Sequence, residues 1–187
     1  MTADLLDSFL PAYDTREYHD MPVASSPRQA YAAMRAMNLA RSPIVLALLA
    51  IRGIPHFLTG KAAPSRVITI DSLLELGFVI LAEDDSEIVL GTVGRFWRLD
   101  SGLHRVAAVE FAGFDEPGYA NAVMNFKVHE EPSGSVLIST ETRVVGTDED
   151  ARRKFLRYWR LIGPFSAFIR TRLLNAIKRD AEAAAAA

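Results

Sequence analysis

Polar side chains at alternate positions of a strand-like segment are the first candidates for chemistry in this chain. In the segment 135–145, Thr140 and Thr142 fall on the same side as valine and isoleucine residues, because successive strand residues point to opposite faces. We predict that this side lines a cavity in which the two hydroxyl groups can meet a ligand. Glu141 and Arg143 then form a pair on the solvent side.

Further ligand contacts are predicted on the neighbouring strands. Arg95 beside Trp97 could anchor an anionic head group, although a plain surface arginine is the alternative, and Phe96 lies on the opposite strand face. Glu110 could transfer protons if it pointed inward, but lone carboxylates are seldom buried, which favours an outward side chain. Asn125 could bond a ligand or lie outside, and the sequence does not separate these cases.

The chain lacks the patterns that identify most catalytic centres. It contains no cysteine, its four histidines are scattered without metal-ligand spacing, and no Gly-x-Ser-x-Gly motif is present. The glycines Gly91 and Gly94 do not have the spacing of a phosphate-binding loop, and they indicate a bulge or a close approach in a strand. We therefore predict no catalytic residue, no metal site and no cofactor.

A long amphipathic helix is predicted at the C-terminus, over 148–182. Apolar residues recur there at three-and-four spacing, and those expected to contact a ligand are Tyr158, Trp159, Ile162, Phe165 and Ile169. Thr147 with Asp150 resembles a capping box, and Gly163-Pro164 predicts a kink. At ~1.5 Å per residue the helix would be ~50 Å long, enough to cross a sheet.

The remaining elements are short and point to an α+β fold. The predicted strands cover 13–23, 78–83, 87–98, 105–114, 119–130 and 135–145, and the predicted helices cover 28–37, 42–53 and 71–76. Pro22 restricts the first strand to the edge of the sheet. Ser26 with Pro27 is a typical helix start. Turn residues separate the later strands at the rhythm of an antiparallel meander.

The element order, the segment Gly91-Thr-Val-Gly-Arg-Phe-Trp97 and the segment Thr140-Glu-Thr-Arg143 resemble the START-like (SRPBCC, helix-grip) superfamily, in particular its uncharacterised bacterial members. The resemblance extends from Tyr13 to Glu182. It implies a curved antiparallel sheet of six or seven strands wrapped on the long C-terminal helix, with two short helices after the first strand. It also implies a hydrophobic cavity between sheet and helix. We expect one domain over 1–187, poorly ordered at 1–12 and 183–187.

Binding or carriage of a lipid, isoprenoid or polyketide is therefore the leading hypothesis, and a cyclase or dehydratase using the same cavity is the alternative. Nine basic residues and one acidic residue lie between Ala151 and Asp180, whereas the whole chain has a net charge of −2. A solvated helix face balanced by acidic loops is the favoured explanation of this asymmetry. Weak contact of the basic helix face with a membrane surface is the alternative, and no nucleic acid is expected. The sequence does not decide between a monomer and a homodimer.

No signal sequence is recognisable, and the apolar run 44–51 is too short to span a bilayer, so we expect a cytoplasmic protein.

Overall fold

The computed structural model describes residues 5–38, 69–75, 77–98 and 102–186, which form an α+β fold. In chain order, its elements are α1 (Leu5–Phe9), β1 (Thr15–Val23), α2 (Pro27–Arg35), α3 (Ile70–Glu75), β2 (Val79–Glu83), β3 (Glu87–Gly94), β4 (Leu103–His104), α4 (Ala108–Phe111), β5 (Ala120–Glu130), β6 (Val136–Gly146) and α5 (Glu149–Ala185). The predicted helix over 42–53 lies outside the described residues.

The strands form one six-stranded antiparallel sheet with the order β1-β6-β5-β3-β2, and β4 pairs with the end of β3. β1 lies at an edge, as Pro22 predicted, because proline cannot donate a hydrogen bond to a second neighbour. The predicted start of α2 is also confirmed. Ser26 caps the helix, the side chain of Gln29 completes a capping box, and Pro27 occupies the first turn.

The C-terminal helix α5 is a single element of 37 residues that continues through Pro164. Its N-cap is Asp148, whose side chain accepts a hydrogen bond from the backbone of Ala151 at 2.7 Å. The predicted capping role of Thr147 is therefore wrong. The Thr147 hydroxyl is instead donated to the carbonyl of Tyr119 at 3.0 Å, which ties the helix start to β5.

The side of the sheet that packs against α5, called the helix face below, carries two apolar clusters. The lower cluster joins the second half of α5 to α2 and the sheet, and includes Met34, Phe126, Val136, Ile138, Leu173, Leu174 and Ile177. The aromatic cluster joins the first half of α5 to the sheet, and consists of Phe96, Trp97, Leu103, Ala120, Ala122, Val144, Phe155, Leu156, Tyr158 and Trp159. The helix is thus held at both ends by apolar burial.

The opposite side of the sheet, the outer face, is also covered. α1 lies within the segment 1–12, for which the sequence predicted poor order, and its Leu6 is fully buried in a third apolar cluster. Glu141 and Arg143 do form a pair, with 2.7 Å between Oε1 and Nε, but they are not on a solvent side. Both are about 95% buried. Asp7 and the carbonyl of Leu10 accept hydrogen bonds from Arg143 on the outer face, so the segment around α1 covers the pair and excludes water from it.

The predicted strand over 105–114 is wrong. The chain forms the two-residue strand β4 and then the short helix α4, in which Phe111 is fully buried while Val109 is 92% exposed. The helical turn packs the Phe111 ring against Gly91 of β3. A Cβ atom added at Gly91 would lie 2.9 Å from that ring. Packing of one aromatic side chain has overridden an alternating pattern that is compatible with a strand.

Gly91 gives a direct test of this packing. A methyl group there would lie 2.7 Å from Leu81 Cδ1 as well as 2.9 Å from Phe111 Cε2. We expect Gly91→Ala to lower the free energy of unfolding by about 1–3 kcal/mol, since overpacking forces neighbours to shift. In Gly113→Ala the nearest atom would be 3.9 Å away. That control should stay within about 0.5 kcal/mol of the parent in urea unfolding, and equal stability of both variants would contradict the model of close approach.

The outer-face ion pair predicts a dependence on pH. Burial alone would raise the pKa of Glu141, but hydrogen bonds from Arg16 and Arg143 outweigh it and hold that pKa below 4.5. A carboxyl group whose pKa is lower in the folded state stabilises the fold above its unfolded pKa, and this stabilisation is lost as the pH falls through the folded pKa. Glu141→Gln should therefore cost about 3 kcal/mol at neutral pH, and the deficit should shrink below about pH 4.

The measurement is the free energy of unfolding across an acid titration. The exposed Glu131→Gln is the matched control and should follow the parent at every pH. A deficit for Glu141→Gln that stays constant down to acid pH would contradict the assignment.

Candidate functional site

A group of polar side chains lies on the helix face between the lower cluster and the aromatic cluster. We call it the polar layer; it consists of Glu17 and His19 from β1, Thr140 and Thr142 from β6, and Arg170 from α5. The register of the sheet places Glu17 opposite Thr142 and His19 opposite Thr140. Since strand side chains alternate between faces, all four point toward α5.

Arg170 connects the helix to both strands. Its Nη1 donates to the hydroxyl of Thr140 at 3.2 Å, and its Nε lies 3.7 Å from Glu17 Oε2. The Nε group also lies 3.4 Å from the Ser166 hydroxyl. Burial lowers the pKa of Arg170, and the charge of Glu17 counteracts this shift. A guanidinium nevertheless stays protonated in proteins, so a positive charge lies beneath the helix.

The other polar groups are only partly satisfied. His19 Nε2 lies 2.9 Å from Glu17 Oε1, and the Thr140 hydroxyl donates to the carbonyl of Asn125 at 2.8 Å. Within the part of the chain that the structure describes, however, Glu17 Oε2 and the hydroxyl of Thr142 are buried without any hydrogen-bond partner. Each such group costs about 1–3 kcal/mol unless something bonds it. The layer therefore offers a carboxylate acceptor and a hydroxyl to a further polar group.

Aromatic side chains border the polar layer on the side of the helix start. Phe155 and Trp159 stack with ring centroids 5.6 Å apart, and Phe96 meets Phe155 edge to face at 6.1 Å. Trp97 and Tyr158 are half-buried in the same cluster. The combination is a small number of polar groups next to a large apolar surface, which is the usual composition of a small-molecule site.

Part of the predicted ligand set is brought together by this arrangement. Thr140 and Thr142 face α5, as the alternation in β6 predicted, and Phe96, Trp97, Tyr158 and Trp159 belong to the neighbouring aromatic cluster. Ile162 and Ile169 are half-buried on α5. Ile169 directly precedes Arg170, and Ile162 lies about two helical turns before it. Phe165 lies on the same stretch of helix but is 50% exposed.

Three predicted residues lie elsewhere. Arg95 donates from Nε to the carbonyl of Gly118 at 3.1 Å and covers the ring of Tyr119 at 4.4 Å. Glu110 is exposed on α4, where it accepts from the backbone of Ala107. Asn125 is buried on the outer face, between Glu87 and the backbone of Glu141. These three side chains have protein partners and do not join the polar layer.

Sequence reasoning missed Glu17, His19 and Arg170. A signal was present in β1, because alternation puts Glu17 and His19 on the same side as the core residues Met21 and Val23. Another was present in α5, where Arg170 occupies an inward position one turn before Leu173 and Leu174. A charged residue inside an apolar stripe is seldom buried unless it is paired.

A separate groove of about 420 Å³ opens at the far end of the helix face. It is bordered by Pro22–Ser25, by the turn at Gly134 and by the last turns of α5, and it contains none of the predicted ligand residues. Its charged groups already have partners, since Lys178 donates to the carbonyl of Pro22 at 2.9 Å and Glu182 accepts from Ala24. We therefore place the candidate site at the polar layer.

Neither a metal-ligand cluster nor a membrane-spanning helix is present within residues 5–38, 69–75, 77–98 and 102–186. No cluster of three or more histidine, aspartate or glutamate side chains there could hold a metal ion. No helix in those ranges is both long enough and apolar enough to cross a bilayer.

Comparison with known proteins gives structural similarity at low levels. No family model and no curated protein matches the chain. A hypothetical protein of Helicobacter pylori, jhp0584, aligns over 96% of this chain and 93% of its own, with 10% identity and a TM-score of 0.35. A putative uncharacterized protein of Bacillus thuringiensis covers 88% of this chain and 97% of its own, with 12% identity and a TM-score of 0.29. XoxI of Bacillus cereus covers 88% and 94%, with 9% identity and a TM-score of 0.31.

The two threonines of the polar layer provide a matched test of the site. Thr142→Val removes a buried hydroxyl that has no hydrogen-bond partner among the described residues, so the free energy of unfolding should rise by about 1 kcal/mol. Thr140→Val removes a hydroxyl bonded to both Asn125 and Arg170, so the free energy of unfolding should fall by about 1–2 kcal/mol. Both changes lie on the same strand and face. Equal destabilisation in urea unfolding would show that the Thr142 hydroxyl is bonded in solution.

Proposed function

We propose that this protein binds a small amphipathic ligand between the sheet and α5, with the polar group of the ligand held at the polar layer. The observation that carries the proposal is a pair of buried atoms without a hydrogen-bond partner among the described residues: Thr142 Oγ1, and Glu17 Oε2, which has only the longer ionic contact to Arg170 Nε at 3.7 Å. Buried polar atoms in proteins are nearly always bonded. A ligand that supplies the missing bonds would be favoured over an apolar molecule of the same shape.

The polar layer suits an uncharged hydroxyl group better than a carboxylate. Glu17 Oε2 requires a donor, whereas the Thr142 hydroxyl can donate or accept. An alcohol satisfies both atoms at once, because its oxygen donates one hydrogen bond and accepts others. A carboxylate would have no proton for Glu17 and would lie beside a like charge. Arg170 offsets this repulsion only in part, since it is already 3.7 Å from Glu17 and bonded to Thr140.

The apolar part of the ligand would contact the aromatic cluster. Phe155, Trp159 and the partly buried Tyr158 provide flat apolar surface next to the polar layer on α5. Lipids, isoprenoids and polyketides with a hydroxyl group all fit this description. The resemblance to START-like proteins supports the same conclusion, and membership of that superfamily is part of the proposal.

A second candidate function is an enzyme of the cyclase or dehydratase type. The observation that favours it is the contact of His19 Nε2 with Glu17 Oε1 at 2.9 Å, in a site shielded from most solvent. A histidine oriented by a carboxylate is a frequent general base. In this scheme His19 would accept a proton from a hydroxyl or carbon acid bound at Thr142, and Arg170 would stabilise the anion that forms.

Binding is tested with decan-1-ol and decanoate, which share a chain and differ in the head group. Both tryptophans of the protein, Trp97 and Trp159, belong to the aromatic cluster, so their fluorescence reports on occupancy. We expect decan-1-ol to bind more tightly than decanoate. Glu17→Gln should weaken the binding of decan-1-ol about tenfold or more, since a charged hydrogen bond is lost. The exposed Glu110→Gln is the control and should leave it unchanged.

Native mass spectrometry of freshly purified protein supplies an independent measurement. A co-purifying molecule with a hydroxyl group supports the proposal. Failure of both probes to change the fluorescence, together with no co-purifying molecule, overturns it. Tighter binding of decanoate than of decan-1-ol overturns the assignment of the head group while leaving ligand binding in place.

Carrier and enzyme differ in what a His19→Gln variant retains. If the protein is a carrier, the molecule extracted from the variant has the same mass as that from the parent. If it is an enzyme, the variant should accumulate a different molecule, the unreacted substrate. Liquid chromatography with mass spectrometry of the two extracts separates these outcomes.

A further inference from the structure

The solvent side of α5 exposes a short apolar stripe at the middle of the helix. Leu161 is 69% exposed, Phe165 is 50% exposed and Phe168 is 40% exposed. Their spacing of four and three residues places them on one side of the helix. Pro164 is exposed between them. Single exposed apolar residues are ordinary, but a contiguous group containing two phenylalanines indicates a contact surface.

Arginines flank this stripe on both sides along the helix. Arg157 and Arg160 precede it and Arg172 follows it, and all three are exposed. Neither Arg157 nor Arg160 has an ion-pair partner in the part of the chain that the structure describes. The guanidinium of Arg172 lies 5.0 Å from the centroid of the Phe168 ring. No aspartate or glutamate occurs anywhere between residues 151 and 179.

We infer that this surface docks the protein on an anionic lipid bilayer, with α5 lying in the plane of the membrane interface. Leu161, Phe165 and Phe168 would enter the boundary between head groups and acyl chains, as the apolar sides of interfacial helices do. The flanking arginines would bind lipid phosphates and carboxylates on either side. From 157 to 172 the helix rises ~22 Å, which covers several lipid head groups.

The arrangement of charge favours a bilayer over other partners. A nucleic acid would pair with the arginines, but its backbone offers no apolar surface for the stripe between them. A second copy of the chain packed symmetrically on this side would bring two sets of unpaired arginines together, which is unfavourable. A bilayer with anionic lipids satisfies both parts of the surface. This inference is independent of the proposed ligand site, since none of the stripe residues belongs to the polar layer.

Vesicle co-sedimentation tests the inference with the full chain. Vesicles of phosphatidylcholine containing about 30 mol% phosphatidylserine should bind the protein, and vesicles of phosphatidylcholine alone should bind it far less. Binding should fall as salt is raised from about 0.1 M to about 1 M, because screening shortens the range of the arginine charges. No binding to the anionic vesicles at low salt overturns the inference.

Matched variants assign the contact to this side of α5. Arg157→Glu should weaken vesicle binding about fivefold or more. The control is Arg28→Glu, which makes the same change of charge at an exposed residue of α2 and should have a much smaller effect. Phe165→Ser should weaken it by a similar factor, whereas Val109→Ser, at an even more exposed apolar residue, should not. Because all four residues are at least half exposed or solvent-facing, the variants should keep the melting temperature of the parent.

Three results count against a bilayer. Equal losses in the variants and their controls would show that net charge or general stickiness causes the binding. Salt-sensitive binding of a DNA or RNA duplex without vesicle binding would make the partner a nucleic acid. A dimer in light scattering that Phe165→Ser abolishes, again without vesicle binding, would assign the stripe to a second copy of the chain.

Discussion

The position of Arg170 constrains how the helix and the sheet fit together. On α5 it lies between the aromatic cluster, which includes Trp159, and the lower cluster, which includes Leu173. A buried guanidinium is tolerated only where charge and hydrogen bonds compensate for lost water. Here the compensation comes from Glu17 on β1 and Thr140 on β6. The helix must therefore lie across these two strands at a defined position along its length.

The same requirement fixes the pairing of the first strand. Among the described strands, β1 lies at the edge and pairs with β6 alone, residues Thr15 to Val23 lying opposite Val144 to Val136. A slip of one residue would turn Glu17 and His19 to the outer face and replace them by Arg16 and Tyr18. Arg170 would then lose its carboxylate, and Glu141 would lose the bidentate contact from Arg16 at 2.7 and 2.8 Å. Ion pairs on both faces thus support one register.

The two faces of β6 have complementary roles. On the outer face, Glu141 and Arg143 bond to each other and to residues of the N-terminal segment, while Asn125 bonds the backbone of Glu141 at 2.7 Å. These contacts tie β6 to its neighbours on the outer face. On the helix face, the neighbouring Thr140 and Thr142 point toward α5. If the proposed ligand binds there, such support would preorganise the two hydroxyl groups, and the ligand would not need to order them.

α5 combines three surfaces that are distinct in chemistry. Its inner side provides the aromatic cluster and the lower cluster, its centre contributes Arg170 to the polar layer, and its solvent side exposes apolar and basic residues. Together, the proposed ligand site on the inner side and the proposed bilayer contact on the solvent side would bring the site close to a source of amphipathic molecules.

Sequence patterns alone determined much of this protein. Alternation placed Thr140 and Thr142 on the helix face, three-and-four spacing located α5, and Pro22 assigned β1 to an edge, because these signals are local and periodic. Tertiary structure alone decided that Glu141 and Arg143 are buried, that the segment around Phe111 is helical, and that Glu17, His19 and Arg170 meet. The two groups of charged residues depend on strands and helices more than a hundred residues apart in the chain, and the helical segment depends on the contact of Phe111 with Gly91. The sequence alone does not tell whether a charged residue is exposed to water or buried beneath another element. That difference is decided by tertiary packing.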